Sequence, residues 1–384
     1  MSQVNDGLFE AGGLFATGRD LLHAGSCSGV RAVVDQIVSL MTVPLVQGTL
    51  RYAWKVGQTG GVDNKASDQS SKNAAEGSTF AAAVLPLVHA CDAAAASVVS
   101  DNMRFGAAVY NQSTGLFTSG TKPDTAAVKA ALERTYACLG ITCAHVGGLL
   151  SGDGVTAEAG METCDEIAGY MVVGGSVKEH GEIDLDQKAM ETALGAKDYT
   201  LAKTWYTVGG NSKTSSPFRT LQGFSTGAQA KMYDDCPGCP YTHYSMFYDY
   251  YGSHTYADEW ALAALDGTSL TYAAPAGVSF DFGGASDAAR QEAVQKGTAY
   301  MHVWMYAIRE FEDAIDDCVS CAASCNTYSA NDAGPVHAWD EGVAFYTGSL
   351  EGAAQGGNTA GKLVYRLAEK RCASFGTCTL WSQP

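Results

Sequence analysis

The sequence predicts a mainly α protein, a helical bundle stapled by disulfides, and three observations lead there. Apolar residues recur at every third and fourth position through most segments that show any period, the spacing of one helix face. The 12 cysteines are even in number and clustered, as in a disulfide framework. Alternating β-patterns are short and scattered.

The helical segments can be justified in turn. The stretches 30–57 and 79–103 are long and apolar on several sides. Asp124 stands as a cap before 124–143, and 160–175 and 186–210 each close on paired glycines. Further along, 228–236, 256–267, 287–318, 340–354 and 361–375 keep the same spacing. The 384 residues suffice for two or three domains or one large body. The division expected is an N-terminal helical region, 1–180, and a C-terminal one, 181–384, with one continuous body as the alternative.

Charge narrows the partners. With 41 acidic and 24 basic residues the formal charge is -17, which repels nucleic acid and anionic lipid and favours metal cations or a cationic partner. Only 17% of residues are charged and 44 are glycine, a balance closer to secreted and cell-surface proteins than to cytosolic enzymes. The start, MSQVNDGLFEAGG, lacks a basic stretch followed by an apolar run, so a signal peptide has been removed or never existed. No run of 18 apolar residues is free of charge, so no transmembrane segment is expected.

Proximity suggests cysteine pairs within CLGITC (138–143), CPGC (236–239), CVSCAASC (318–325) and CASFGTC (372–378). CPGC and CVSC also fit zinc knuckles or redox centres. Structural disulfides in an oxidising compartment are favoured, because the chain is acidic and Lys-poor and no thioredoxin-like pattern surrounds either pair.

Three segments resemble one another: DEIAGYMVVGGS (165–176), DEWALAALDGTS (258–269) and DEGVAFYTGSLEG (340–352). Each opens on Asp-Glu, continues for about two apolar helical turns and leaves through small residues. Related helical repeats would explain the recurrence, and so would drift in an Ala/Gly-rich chain. Two of the three units lie in the C-terminal region.

Each Asp-Glu pair has a polar side chain four residues upstream, Glu162 before Glu166, His254 before Asp258 and His337 before Glu341. Side chains four apart share a helix face at about 6 Å, so two of them can hold one ion. The candidate metal ligands are therefore His337, Asp340 and Glu341, His254, Asp258 and Glu259, and Glu162, Asp165 and Glu166. His337, Asp340 and Glu341 are too few for a six-coordinate ion. A second segment is needed, expected around His254 and Asp258/Glu259 or at a tyrosine of 241–256. Capping of a helix start by acidic residues is the competing explanation. His23, His145, His180 and His243 show no persuasive partner spacing. Carboxylates with a histidine or tyrosine suit Fe3+ first, with Mn or Ca as alternatives. No EF-hand loop and no paired E-x-x-H is present.

HAWDEGVAFYTGSLEG (337–352) with the following GNTAGKLVYRLAEKRCASFGTC, supported by DEWALAALDG, resembles the algal iron-assimilating proteins, also described as high-CO2-inducible periplasmic proteins. The resemblance covers most of the chain. It implies a protein secreted to the periplasmic or cell-wall space that helps iron uptake, with a cell-surface transporter or receptor as its partner. The ligand set rests on spacing, not on the resemblance. The function expected is iron binding without catalysis; a cell-wall or adhesion protein and an extracellular hydrolase are the alternatives. GFSTG (223–227) matches the serine-hydrolase elbow in letters but lacks a preceding buried strand, and reads as a loop.

Overall fold

Side-chain caps set many of the helix boundaries. Asp124 accepts from the Ala127 N–H at 3.0 Å, Asp198 from Leu201 at 2.9 Å and Ser286 from Ala289 at 3.3 Å. Gly140, Gly252, Gly267 and Gly376 end helices in the left-handed conformation. The computed structural model describes residues 3–10, 12–57, 71–103, 110–111, 116–117, 123–172, 177–214, 218–234, 241–273, 279–320, 334–354 and 356–378. Within them the protein is a mainly α, disulfide-stapled helical bundle in two units, Met1–Cys164 and Asp165–Pro384.

In the first unit the helix Cys27–Gly57 packs along Ser71–Cys91, and Ala93–Met103 and Thr125–Glu133 complete the layer. Val43, Val46, Ala53, Val84, Val88, Val99 and Leu132 are wholly buried between them. Cys91–Cys138 ties the end of the second long helix to the short helix Tyr136–Leu139, and Cys143–Cys164 closes the unit. Cys138 and Cys143 therefore do not pair with each other, contrary to their proximity. They flank the left-handed turn at Gly140, and each instead bridges to a helix end or loop packed beside it. Cys372–Cys378 forms as its spacing suggested, while CPGC lies outside the described residues. Two helical stretches, Cys27–Gly57 and Lys72–Cys91, are long and apolar enough to cross a membrane by length and composition alone, and each carries the isolated charges that the sequence criterion counted against it.

The second unit buries an aromatic core. Phe224 lies 4.4 Å from Tyr306 and 5.1 Å from Phe345, ring centre to ring centre, and Tyr206, Tyr244 and Tyr272 are buried nearby. Full burial of each such ring contributes about 2 to 3 kcal/mol. Trp304–Ser320 and Pro335–Thr347 form the most intimate helix pair. Gly342 permits that approach, since a Cβ there would stand 2.7 Å from the Phe311 ring.

Of the segment 160–175, the described residues 160–172 are not helical. Glu166–Ile167 and Tyr170–Met171 form an antiparallel hairpin with Ile167 opposite Tyr170, turning through Ala168 (φ 51°) and Gly169 (φ 87°). Two consecutive positive φ angles define the type I′ turn that matches strand twist, and this local preference defeats the helical spacing. Ile167, Val172 and Val177 pack with Ala344 of the Pro335–Thr347 helix inside the second unit, which begins at Asp165. The three Asp-Glu segments thus occupy different settings: a strand, the first turn of Tyr256–Asp266 and the second turn of Pro335–Thr347. They are not structurally equivalent helix starts.

Candidate metal centre

Pro335 at the first position starts the helix that carries His337 and Glu341, its fixed φ and missing N–H both suiting that place. One turn apart, the two side chains meet with His337 Nε2 3.5 Å from Glu341 Oε1. The third member comes from elsewhere. His180, on the short helix Lys178–Gly181, places its Nδ1 against the same Glu341 Oε1. Gly181 lets this short helix lie against the 348–349 backbone, where a Cβ would stand 3.2 Å from the Ser349 nitrogen. His180 stacks over Phe345, with ring centres 6.0 Å apart, and meets His337 edge-on at 5.6 Å.

One donor atom from each of His180, His337 and Glu341 lies within 4.8 Å of the others, and the three side chains are 13%, 17% and 14% exposed. Metal–ligand bonds of about 2.1 Å need donors roughly 3 to 3.6 Å apart, so small side-chain rotations suffice. The cluster is shielded yet reachable from solvent.

Positive charge borders it. Arg219 Nη2 is 3.0 Å from His180 Nε2 and 3.4 Å from Glu341 Oε1, and its Nη1 donates to the Lys213 carbonyl at 2.6 Å. Burial pushes the Glu341 carboxyl up, but the hydrogen bonds and charges of His180 and His337 outweigh it and hold the group below the usual carboxylate range. Glu310, on the facing helix and 1% exposed, is pushed up to about 7, by burial first and the Glu341 charge second, although Arg309 opposes both. Arg309 Nη1 binds Glu310 at 2.5 Å. Burial lowers Lys231, whose Nζ reaches the Tyr306 hydroxyl at 2.5 Å.

The other expected ligands are engaged elsewhere. Asp340, 1% exposed, accepts from the Tyr170 hydroxyl at 2.7 Å and so joins the hairpin to the helix. Asp258 accepts from Tyr206 at 2.6 Å and Gln222 at 3.1 Å, and Tyr206 also meets His302 Nε2 at 2.9 Å. Glu259 accepts from Ser253 and from Thr255 at 3.0 Å, closing its own helix start. His254 stacks on Tyr248 at 3.9 Å. Asp165 and Glu166 belong to the hairpin, and Glu162, in the first unit, accepts from the Gly160 N–H at 3.3 Å. Among the described residues, the side chain that joins His337 and Glu341 is His180, from outside the 241–259 segment. No local spacing signals it, because its partner lies far downstream. Its only mark was negative: His180 had no partner nearby in the chain.

A helical, disulfide-stapled body suits an oxidising compartment, and its shielded cluster of two imidazoles and a carboxylate could hold a metal ion. The chain belongs to the family of low iron-inducible periplasmic proteins (Fea1), whose model matches residues 150–364. His180, Arg219, His337 and Glu341 all fall in that segment. No curated protein and no solved structure matches the chain. Membership makes this a periplasmic or secreted protein of iron assimilation.

Proposed function

We propose that the protein binds iron as cargo outside the cell membrane, with His180, His337 and Glu341 as its protein ligands, and passes it on unchanged to a transporter or receptor at the cell surface. The convergence of the three donor groups on one partly buried point carries this reading. Two imidazoles and one carboxylate on one side of an ion form the facial set known for ferrous iron, leaving three positions of an octahedron open. Oxygen donors filling those positions give a ferric ion its hard ligands, and Fe3+ is the form favoured. Calcium is disfavoured by the two imidazoles, and manganese is the metal to compete against. Retention at the cell wall belongs to the same proposal.

Arg219 favours a second reading. Its guanidinium contacts both His180 and Glu341, as it would in a buried ion-pair hub that only fastens the short helix to the long one. Titration with chelated iron separates the two. Glu341→Gln and His180→Gln should each lower affinity at least tenfold in a folded protein, whereas Arg219→Gln should retain or strengthen binding by removing the competing cation. Unchanged affinity in both ligand variants would leave the hub as the account.

A further inference from the structure

The first unit encloses a cavity of about 410 Å³, within the range of small-molecule sites and lined by that unit alone. Most of its wall precedes the segment matched by the family model. Four helices and the 146–164 segment build it, and the Cys143–Cys164 bridge holds that segment in place.

Two of the aromatic rings that line the cavity, Tyr52 and Phe80, stack with centres 5.8 Å apart and planes 15° from parallel. Gly48 makes room for this, since a Cβ there would stand 2.6 Å from the Phe80 ring. Two charges of the lining stand outside ion pairs among the described residues, the Glu162 carboxylate and the Arg51 guanidinium, so an anion would be recognised by the local guanidinium contact and not by a net charge of the wall. Lys129 pairs with Glu133 at 2.6 Å, their side chains 19% and 8% exposed, and Glu162 accepts from the Gly160 N–H. Arg51 also lines the cavity, and among the described residues it has no ion-pair partner.

We propose that this cavity binds a small planar organic anion, an aromatic carboxylate, with its ring against Tyr52 and Phe80 and its carboxylate on the Arg51 guanidinium. A ring in offset contact with aromatic side chains and a planar fork matched to a carboxylate recognise the two halves of such a molecule. The neutralised Lys129–Glu133 pair adds hydrogen-bonding capacity without changing the net charge of the lining. This site is separate from the iron proposal and neither needs the other.

Calorimetric titration of the full chain with cinnamate tests it, with cinnamamide as the uncharged match. Saturable binding of one cinnamate is expected, at least tenfold tighter than the amide and at least tenfold weaker in Arg51→Gln. Leu150→Trp, at an exposed rim position, should block entry while the thermal melt stays that of the parent. No saturable binding below about 1 mM, or binding retained in Leu150→Trp, would overturn the site. Equal affinity for the amide or for Arg51→Gln would overturn its assignment to an anion.

Discussion

Asp340 and Glu341 are adjacent in sequence but meet different partners, and a double-mutant cycle on Asp340 and Tyr170 tests the part given to the first. Asp340 is 1% exposed and receives the Tyr170 hydroxyl at 2.7 Å, a hydrogen bond to a charged acceptor that joins the hairpin to the site-bearing helix. Such bonds contribute about 1.5 to 3 kcal/mol, and removing one partner leaves the other to bear its desolvation. Tyr170→Phe should therefore cost about 2 kcal/mol, and Asp340→Ala somewhat more, because it also empties a buried position. Their coupling should be about 1.5 to 3 kcal/mol, so the double variant is less destabilised than the two costs summed. In a unit of this size each kcal/mol moves Tm by about 2 to 4 °C. Urea titrations of the four proteins, followed by circular dichroism, measure the cycle. Iron stoichiometry should be unchanged in folded Asp340→Ala. Coupling below about 0.5 kcal/mol, or loss of iron from that folded variant, would refute the division of roles.

Three further outcomes follow from other parts of the fold. Asp184 accepts from the Ser349 hydroxyl and the Leu350 N–H, yet burial pushes its carboxyl up to about 6. A raised carboxyl binds more protons folded than unfolded, so its contribution to stability falls as pH rises from about 4 to about 6; Asp184→Asn should gain up to about 3 kcal/mol on the parent over that window, and a constant difference in denaturation midpoints would contradict this. Serine replacement of Cys91 and Cys138, 47 residues apart, should cost about 4 kcal/mol against about 2 for Cys372 and Cys378, only 6 apart, in guanidinium titrations; equal costs would set loop entropy aside. Ala168→Asn should raise the melting temperature by relieving a positive φ in a turn that favours Asn-Gly, worth about 1 kcal/mol, and a lowered midpoint would refute the turn assignment.

Much of the helical architecture was legible because helix signals are local. Caps at Asp124 and Ser286, and the apolar face of 287–318, act within a few residues and survive folding, whereas the segment read as one helix over 186–210 breaks at Asp198, which caps a second helix, Tyr199–Val208. The hairpin at 166–171 misled for the same reason: DEIAGYMV carries a passable helix period, and only the Ala168–Gly169 turn reveals otherwise. Within 287–318, residues Thr298–Val303 take π-helical turns, a local widening that apolar spacing does not register. At the site, the His337–Glu341 pair was readable as an i,i+4 contact on one helix. Asp340 and Asp258 have the right chemistry, but they are spent on tyrosines distant in sequence, Tyr170 and Tyr206. His180 reaches Glu341 only after the short helix docks on the long one, a tertiary event that leaves no periodic trace.

The central claim is that His180, His337 and Glu341 converge on iron, and anomalous diffraction from crystals of the full chain soaked in ferric citrate tests it most directly. Data collected on either side of the iron absorption edge should give one strong difference peak about 2.1 Å from one atom of each of the three side chains, with Arg219 displaced from His180, and the peak should vanish in Glu341→Gln crystals. A peak elsewhere in the molecule, or none at this cluster with Arg219 still joining His180 to Glu341, would contradict the account.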